Sequence, residues 1–129
     1  MKKRSFPLSL LVLILFIAVV NGLANEFSWY WRIPWLDMPM HFLGGFWIGS
    51  VALWFFSPRI PEQSLNVFLI SLLAVVVIGG LWELFEFNIG TMTFVPEQNG
   101  ILDTSSDLVF DIIGSVTATM YFIFKLKKQ

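Results

Sequence analysis

Charge and apolarity alternate along this chain in long blocks rather than in the short periods of a soluble domain. Residues 6–24 carry no charge and follow Lys2, Lys3 and Arg4. Residues 36–56 hold no ionisable group other than Asp37 and His41, both near their start. Residues 65–89 keep Glu83 and Glu86 for their last third. Residues 103–124 confine their acids to the first half and run into Lys125, Lys127 and Lys128. A helix rises 1.5 Å per residue, so each block is long enough to cross a hydrocarbon layer of ~30 Å. The pattern predicts an all-α fold, an integral membrane bundle of four transmembrane helices forming one domain over residues 1–129. The first block has a second reading. Its basic start, apolar run and small residues Gly22 and Ala24 also fit a secretory signal cleaved after Ala24, and three spans remain in that case.

Composition agrees with the blocks. Of 129 residues 57% are hydrophobic and 13% charged, where soluble domains carry about 25% charge, and the mean hydropathy is +0.76. A net charge of -1 leaves no general basic surface, so nucleic acid is not an expected partner. With no cysteine, disulfides, thiol catalysis and zinc–thiolate sites are excluded. Lys and Arg are retained on the cytoplasmic side of a membrane. Three lie at each terminus and Arg59 lies between the second and third blocks, whereas only Arg32 falls in the first loop. Both termini are therefore expected to be cytoplasmic, in a bacterial inner membrane. Phe27, Trp29, Tyr30, Trp31 and Trp35 then form an aromatic belt at the outer headgroup level. Pro58 and Pro61 bracket the inner turn, and Pro96 to Gly100 make up the turn of the last loop.

In that topology Asp37 and His41, Glu83 and Glu86, and Asp103, Asp107 and Asp111 all fall in the outer half of the bundle. The spacings of three and four keep each set on one side of its helix. Asp111 lies about 12 Å deeper than Asp103 and is too short to reach back to water. Ionisable groups at such depth face the bundle interior and mark functional sites. Six carboxylates meet one histidine there, with Arg32 the only basic side chain at that end. Two carboxylates ~6 Å apart repel by ~3 kcal/mol even at an effective dielectric of ~20. Shared protons, a bound cation or a basic ligand would each relieve this. Oxygen donors suit Mg, Ca or Mn, and an imidazole among them admits Zn or Fe. The candidate pocket is Asp37, His41, Glu83, Glu86, Asp107 and Asp111. Glu83, Glu86, Asp107, Asp111 and His41 are the candidate ligands of a divalent cation whose identity the sequence does not fix. Plainer roles compete. Asp103 reads best as a helix N-cap, Asp37 equally well as a start signal, and interhelical hydrogen bonding alone can retain polar groups. Gly45-x-x-x-Gly49, Gly114-x-x-x-Ala118 and Gly79-Gly80 read as close helix contacts.

The order Asp37-x-x-x-His41-Phe42-x-x-Gly45, Glu83-x-x-Glu86, Asp107-x-x-x-Asp111-x-x-Gly114 resembles the VanZ-like superfamily of small membrane proteins. Glu86 stands where Gln is usual there and Asp111 where Asn is usual. Those departures, and Asp103-Thr104 ahead of Asp107, look closer to the YjdF-type uncharacterised bacterial membrane proteins. The resemblance spans residues 37–118. It implies a compact helical bundle in the bacterial envelope, with a link to glycopeptide tolerance in some members and no agreed reaction.

Three functions follow as expectations. The first is a metal-dependent protein acting on an envelope lipid or its phosphate headgroup. The second is a non-catalytic binding or accessory protein. The third is a proton-coupled transporter or flippase, disfavoured because the inner half looks nearly free of polar residues. A membrane lipid is the expected partner, with self-association open. Gly-x-Ser-x-Gly and His-Glu-x-x-His are both absent.

Overall fold

The computed structural model describes residues 5–59, 64–93 and 100–126, and the side chains of residues 59, 64, 89–93 and 126 are left aside. The four apolar blocks are four helices: α1 (Leu8–Glu26), α3 (Asp37–Phe56), α4 (Ser64–Thr93) and α5 (Ile101–Leu126). A single turn, α2 (Trp29–Arg32), and a 3₁₀ turn at Pro34–Leu36 link the first two, and a second 3₁₀ turn at Ser57–Arg59 ends α3. Each of the four is long and apolar enough to cross a membrane. Among the described residues there is no strand.

Boundaries shift from expectation for local reasons. Pro39 sits in the first turn of α3, where its missing N–H has no intrahelical partner to lose. α4 continues four residues past the expected end to Thr93. α5 begins two residues early, with the Thr104 N–H donating to the Gly100 carbonyl at 3.1 Å. Asp103 therefore lies inside the first turn and is not the N-cap, although its charge still favours that helix end. Lys2, Lys3, Arg4, Pro61, Lys127, Lys128 and the turn from Pro96 up to Gly100 lie outside the described residues.

What the bundle buries is unlike a soluble core. Leu11, Val12, Leu15, Phe16 and Val19 of α1 and Leu69, Leu73, Val76 and Val77 of α4 are exposed. Among the described residues seven polar or charged ones are buried, His41, Ser71, Glu83, Asp107, Asp111, Ser115 and Thr119, beside eight apolar ones. In a lipid solvent apolar side chains have no reason to face inward, so close packing and interhelical hydrogen bonds determine the interior.

α3 and α5 form the most extensive helix pair, α4 covers both, and α1 rests chiefly on α3. Glycine sets the first contact. A methyl added at Gly45 would fall 2.6 Å from Asp111 Cα and onto its carbonyl, and one at Gly114 would fall 2.6 Å from the Phe46 nitrogen. Each helix thus seats a glycine on the backbone of the other. One turn on, a methyl at Gly49 would lie 2.5 Å from Ser71 Oγ and 3.3 Å from Ala118 Cβ. α1 is held by Trp47 Nε1, which donates to the Leu10 carbonyl at 2.7 Å, and by edge-to-face packing of Phe6 on Trp54.

The half of the bundle away from the acids is more polar than expected. Ser71 Oγ lies 2.8 Å from Ser115 Oγ and donates to the Ser115 carbonyl at 3.2 Å, joining α4 to α5. Thr119 is also buried, with its hydroxyl unpartnered. Ser105 and Thr117 of the same helix instead donate back to the carbonyls four residues earlier.

Replacing Gly45 or Gly114 by Ala should separate α3 from α5 and cost about 3 kcal/mol or more, at the upper end of overpacking penalties. Gly80→Ala, where nothing lies within 4 Å, should be neutral or stabilising. Unfolding of the detergent-solubilised protein against an added denaturing detergent measures the difference. Equal stability of Gly45→Ala and Gly80→Ala would refute the backbone seat.

Candidate functional site

Three helices bring the acids together because their ends alternate: α3 and α5 begin, and α4 finishes, at the same end of the bundle. Asp37 and His41 stand one turn apart at the start of α3, Glu83 and Glu86 three residues apart late in α4, and Asp107 and Asp111 one turn apart early in α5. The glycine seat fixes the depth of Asp111 against α3. Gly79 makes room for its carboxylate, since a methyl there would lie 2.6 Å from Asp111 Oδ2.

His41 is the centre of the cluster. Its Nε2 lies 3.6 Å from Asp37 Oδ1 and 3.9 Å from Asp107 Oδ2. Its Nδ1 lies 3.5 Å from Asp111 Oδ1 and 3.8 Å from Glu83 Oε1. Four carboxylates from three helices thus surround one imidazole, two on each ring nitrogen. Glu86 joins through a set with His41 and Glu83 whose donor atoms lie within 4.8 Å of one another, and Asp37, His41 and Asp107 form a second such set. All six residues of the expected pocket therefore lie in one cluster. Among the described residues no Lys or Arg pairs with these acids.

Exposure grades across the cluster. Asp37 keeps 34% of its side-chain surface, while Glu83, Asp107 and Asp111 keep 8% or less. Asp37 is thus the most exposed of these four, and Glu86 is part-buried. Thr104 lies within hydrogen-bonding reach of the Glu83 carboxylate. Glu83 Oε1, facing His41 Nδ1, is nevertheless sealed and has no hydrogen-bond partner among the described residues.

Tyr30 is a neighbour of the site that the sequence reading assigned to the aromatic belt. Its hydroxyl donates to Asn21 Oδ1 at 2.7 Å, tying α2 to α1. Burial, reinforced by the negative charges of Asp37 and Glu86, pushes its phenol up to about 12 from 10.0. One tyrosine among four Trp and Phe residues carries no sequence signal for this. The buried hydroxyls had one: the four-residue period of Asp103, Asp107 and Asp111 continues through Ser115 to Thr119.

The Tyr30 shift has a definite sign. The folded state holds the phenolic proton more tightly, so its contribution to stability is fully present below pH 10 and is lost as pH rises through about 12. Ultraviolet titration should show a tyrosinate component near pH 12 in the folded protein that vanishes in Tyr30→Phe. Its persistence in that variant would show that Tyr30 is not the shielded phenol.

Comparison with known proteins agrees with the fold. A Thermotoga maritima protein described as "Uncharacterized protein" is 32% identical over 99 residues, covering 70% of this chain and 48% of that one. The chain thus spans about half the length of that relative. No solved structure matches. Residues 1–128 match the family described as "Predicted membrane protein (DUF2238)", and the chain belongs to that family.

Proposed function

We propose that the His41 pocket binds a divalent cation and presents it to the anionic headgroup of a membrane lipid. The carrying observation is the ring of carboxylate oxygens 3.5–3.9 Å from the two nitrogens of His41. Those separations exceed the 2.7–3.2 Å of an N–H···O hydrogen bond. They approach the ~3.4 Å edge of a tetrahedron of donors each ~2.1 Å from an ion. Mn, Mg, Zn or Fe suits a donor set of several carboxylates and one imidazole. A cation there would offset repulsion among the acids and supply the positive charge that a phosphate needs, since among the described residues no Lys or Arg pairs with them. It would polarise a phosphoryl oxygen or activate a water on the more exposed Asp37 side.

The distribution of Lys and Arg supports the bacterial cytoplasmic membrane as the location, with the pocket at the outer headgroup level. The order of the Asp-His, Glu-Glu and Asp-Asp pairs supports kinship with VanZ-type and YjdF-type proteins. Glu86 and Asp111 make this pocket the more anionic variant of that pattern.

Elemental analysis of the detergent-solubilised protein, beside a Glu83→Gln, Glu86→Gln double variant, tests the reading. The parent should carry stoichiometric metal and the variant none. At about 100 times its dissociation constant the metal should stabilise the parent by about 2.7 kcal/mol. Absence of metal after equilibration with divalent cations would overturn the proposal.

A further inference from the structure

The two nitrogens of His41 face two pairs of carboxylates, and a neutral imidazole cannot treat them alike. It has one lone pair to give a cation and one N–H to give an acceptor. Histidines that bind metals hold their ring by donating the second nitrogen's N–H to a carboxylate or carbonyl. The structure differs on the two edges of the ring. On the Nδ1 edge, Glu83 is only 7% exposed and its Oε1, 3.8 Å from Nδ1, is sealed from solvent with no hydrogen-bond partner among the described residues. On the Nε2 edge, Asp37 and Asp107 lie within hydrogen-bonding reach of each other, and Asp37 is one-third exposed. Neither has a sealed oxygen without a partner among the described residues.

We infer that the cation sits on the Nδ1 edge, held by His41 Nδ1, Glu83 Oε1 and Glu86, while the protonated Nε2 faces Asp37 and Asp107 at 3.6 and 3.9 Å. The inference rests on the cation reading of the pocket and assigns the roles within it. Glu83 and Glu86 stand three residues apart on α4, so their carboxylates approach from one helix, and His41 Nδ1 faces Glu83 Oε1 from α3 at 3.8 Å. Their donor atoms and that of His41 lie within 4.8 Å of one another, as do those of Asp37, His41 and Asp107, so it is the sealed Glu83 oxygen that distinguishes the edges. Asp111 Oδ1, 3.5 Å from Nδ1, adds negative charge on the same edge. It is rigidly placed, with its backbone against Gly45 and its other oxygen against Gly79. Asp37 and Asp107 are then positioning residues: they fix which nitrogen carries the proton and how the ring is turned.

Two substitutions at His41 separate the edges. The amide of Asn ends close to where Nδ1 lies, and that of Gln close to where Nε2 lies. Mn2+ binding to the full chain in detergent, read from loss of the free-ion paramagnetic resonance signal, is the assay. His41→Asn should retain Mn2+ with weakened affinity, and His41→Gln should lose it. Glu83→Gln should also lose it, whereas Asp107→Asn should keep one ion with affinity reduced by about 10–100-fold, as for other groups that orient a ligating histidine. Circular dichroism and a monodisperse elution profile establish that each variant is folded, and Asp107→Asn and Glu83→Gln decide the matter if either His41 variant is not. Retention in His41→Gln with loss in His41→Asn would reverse the edges and overturn this assignment while leaving the pocket a cation site. Parent-like affinity in Glu83→Gln would do the same. Failure of the parent to bind Mn2+, Zn2+ or Mg2+ would overturn both this assignment and the function proposed above.

Discussion

Everything at the acidic end depends on how closely α3 and α5 approach. Two helices whose facing residues carry side chains pack with axes 8–10 Å apart. Here Gly45 and Gly114 each meet the backbone of the other helix instead. That contact lies level with Asp111 and one turn from His41, so it does more than add packing. It sets a fixed reach across which the short side chains of Asp107 and Asp111 can meet an imidazole. Were the axes held apart by two methyl groups, an Asp side chain could not make up the difference, though a Glu could. The pairing of short acids on α5 with glycine on α3 is therefore one geometric solution. The longer acids, Glu83 and Glu86, stand on α4, the helix outside this close pair.

A lipid surround makes such a solution stable. With lipid-facing Leu, Val and Phe on α1 and α4 contributing little to association, the interior is free to hold small and polar groups, provided they pair. Ser71 and Ser115 do so, each with the other, in a layer packed under Gly49. Such a layer holds helices together and asks for nothing else. The acidic layer does ask for something: its acids share a single imidazole, and one carboxylate oxygen has no partner. An unpaired hydroxyl such as that of Thr119 costs about 1–3 kcal/mol. An unpaired buried charge costs several kcal/mol. Polar groups kept only as fasteners would be serine, not aspartate.

The sequence disclosed the coarse architecture because it rests on additive, local quantities. Four spans follow from block length and hydropathy, and the gathering of acids at one end follows from chain order, since successive spanning helices must alternate in direction. Asp107 and Asp111 share a face because both sit on one helical period. What the sequence did not disclose depends on contacts between helices. Asp103 has good N-cap chemistry, yet α5 starts at Ile101 and places it inside the first turn. Gly79-Gly80 reads as one close contact, yet only Gly79 meets a neighbour, the Asp111 carboxylate, and Gly80 has nothing within 4 Å. Tyr30 became a neighbour of the pocket only through the turn that lays α2 back on Asn21. Ser115 and Thr119 were legible in principle, as continuations of the aspartate period, but a hydroxyl in an apolar helix usually bonds its own backbone, as Ser105 and Thr117 do.

The division of labour between the helices gives the pocket a direction. α5 and α3 form the rigid wall, locked by glycine against backbone. α4 meets that wall through the Ser71–Ser115 hydrogen bond and through the space that Gly79 leaves for Asp111. The Asp37 edge stands at the loop that carries α2, and Asp37 is more exposed than Glu83, Asp107 or Asp111. In the proposed reading a ligand would meet Asp37 first, then His41, and would reach Glu83 last. A site meant only to neutralise buried acids would have no need of such a gradient, and an ion enclosed on every side could not touch a second molecule. Depth places the oxygen that has no partner among the described residues where the proposed ion would be held, and exposure at Asp37 leaves a side through which it would be reached.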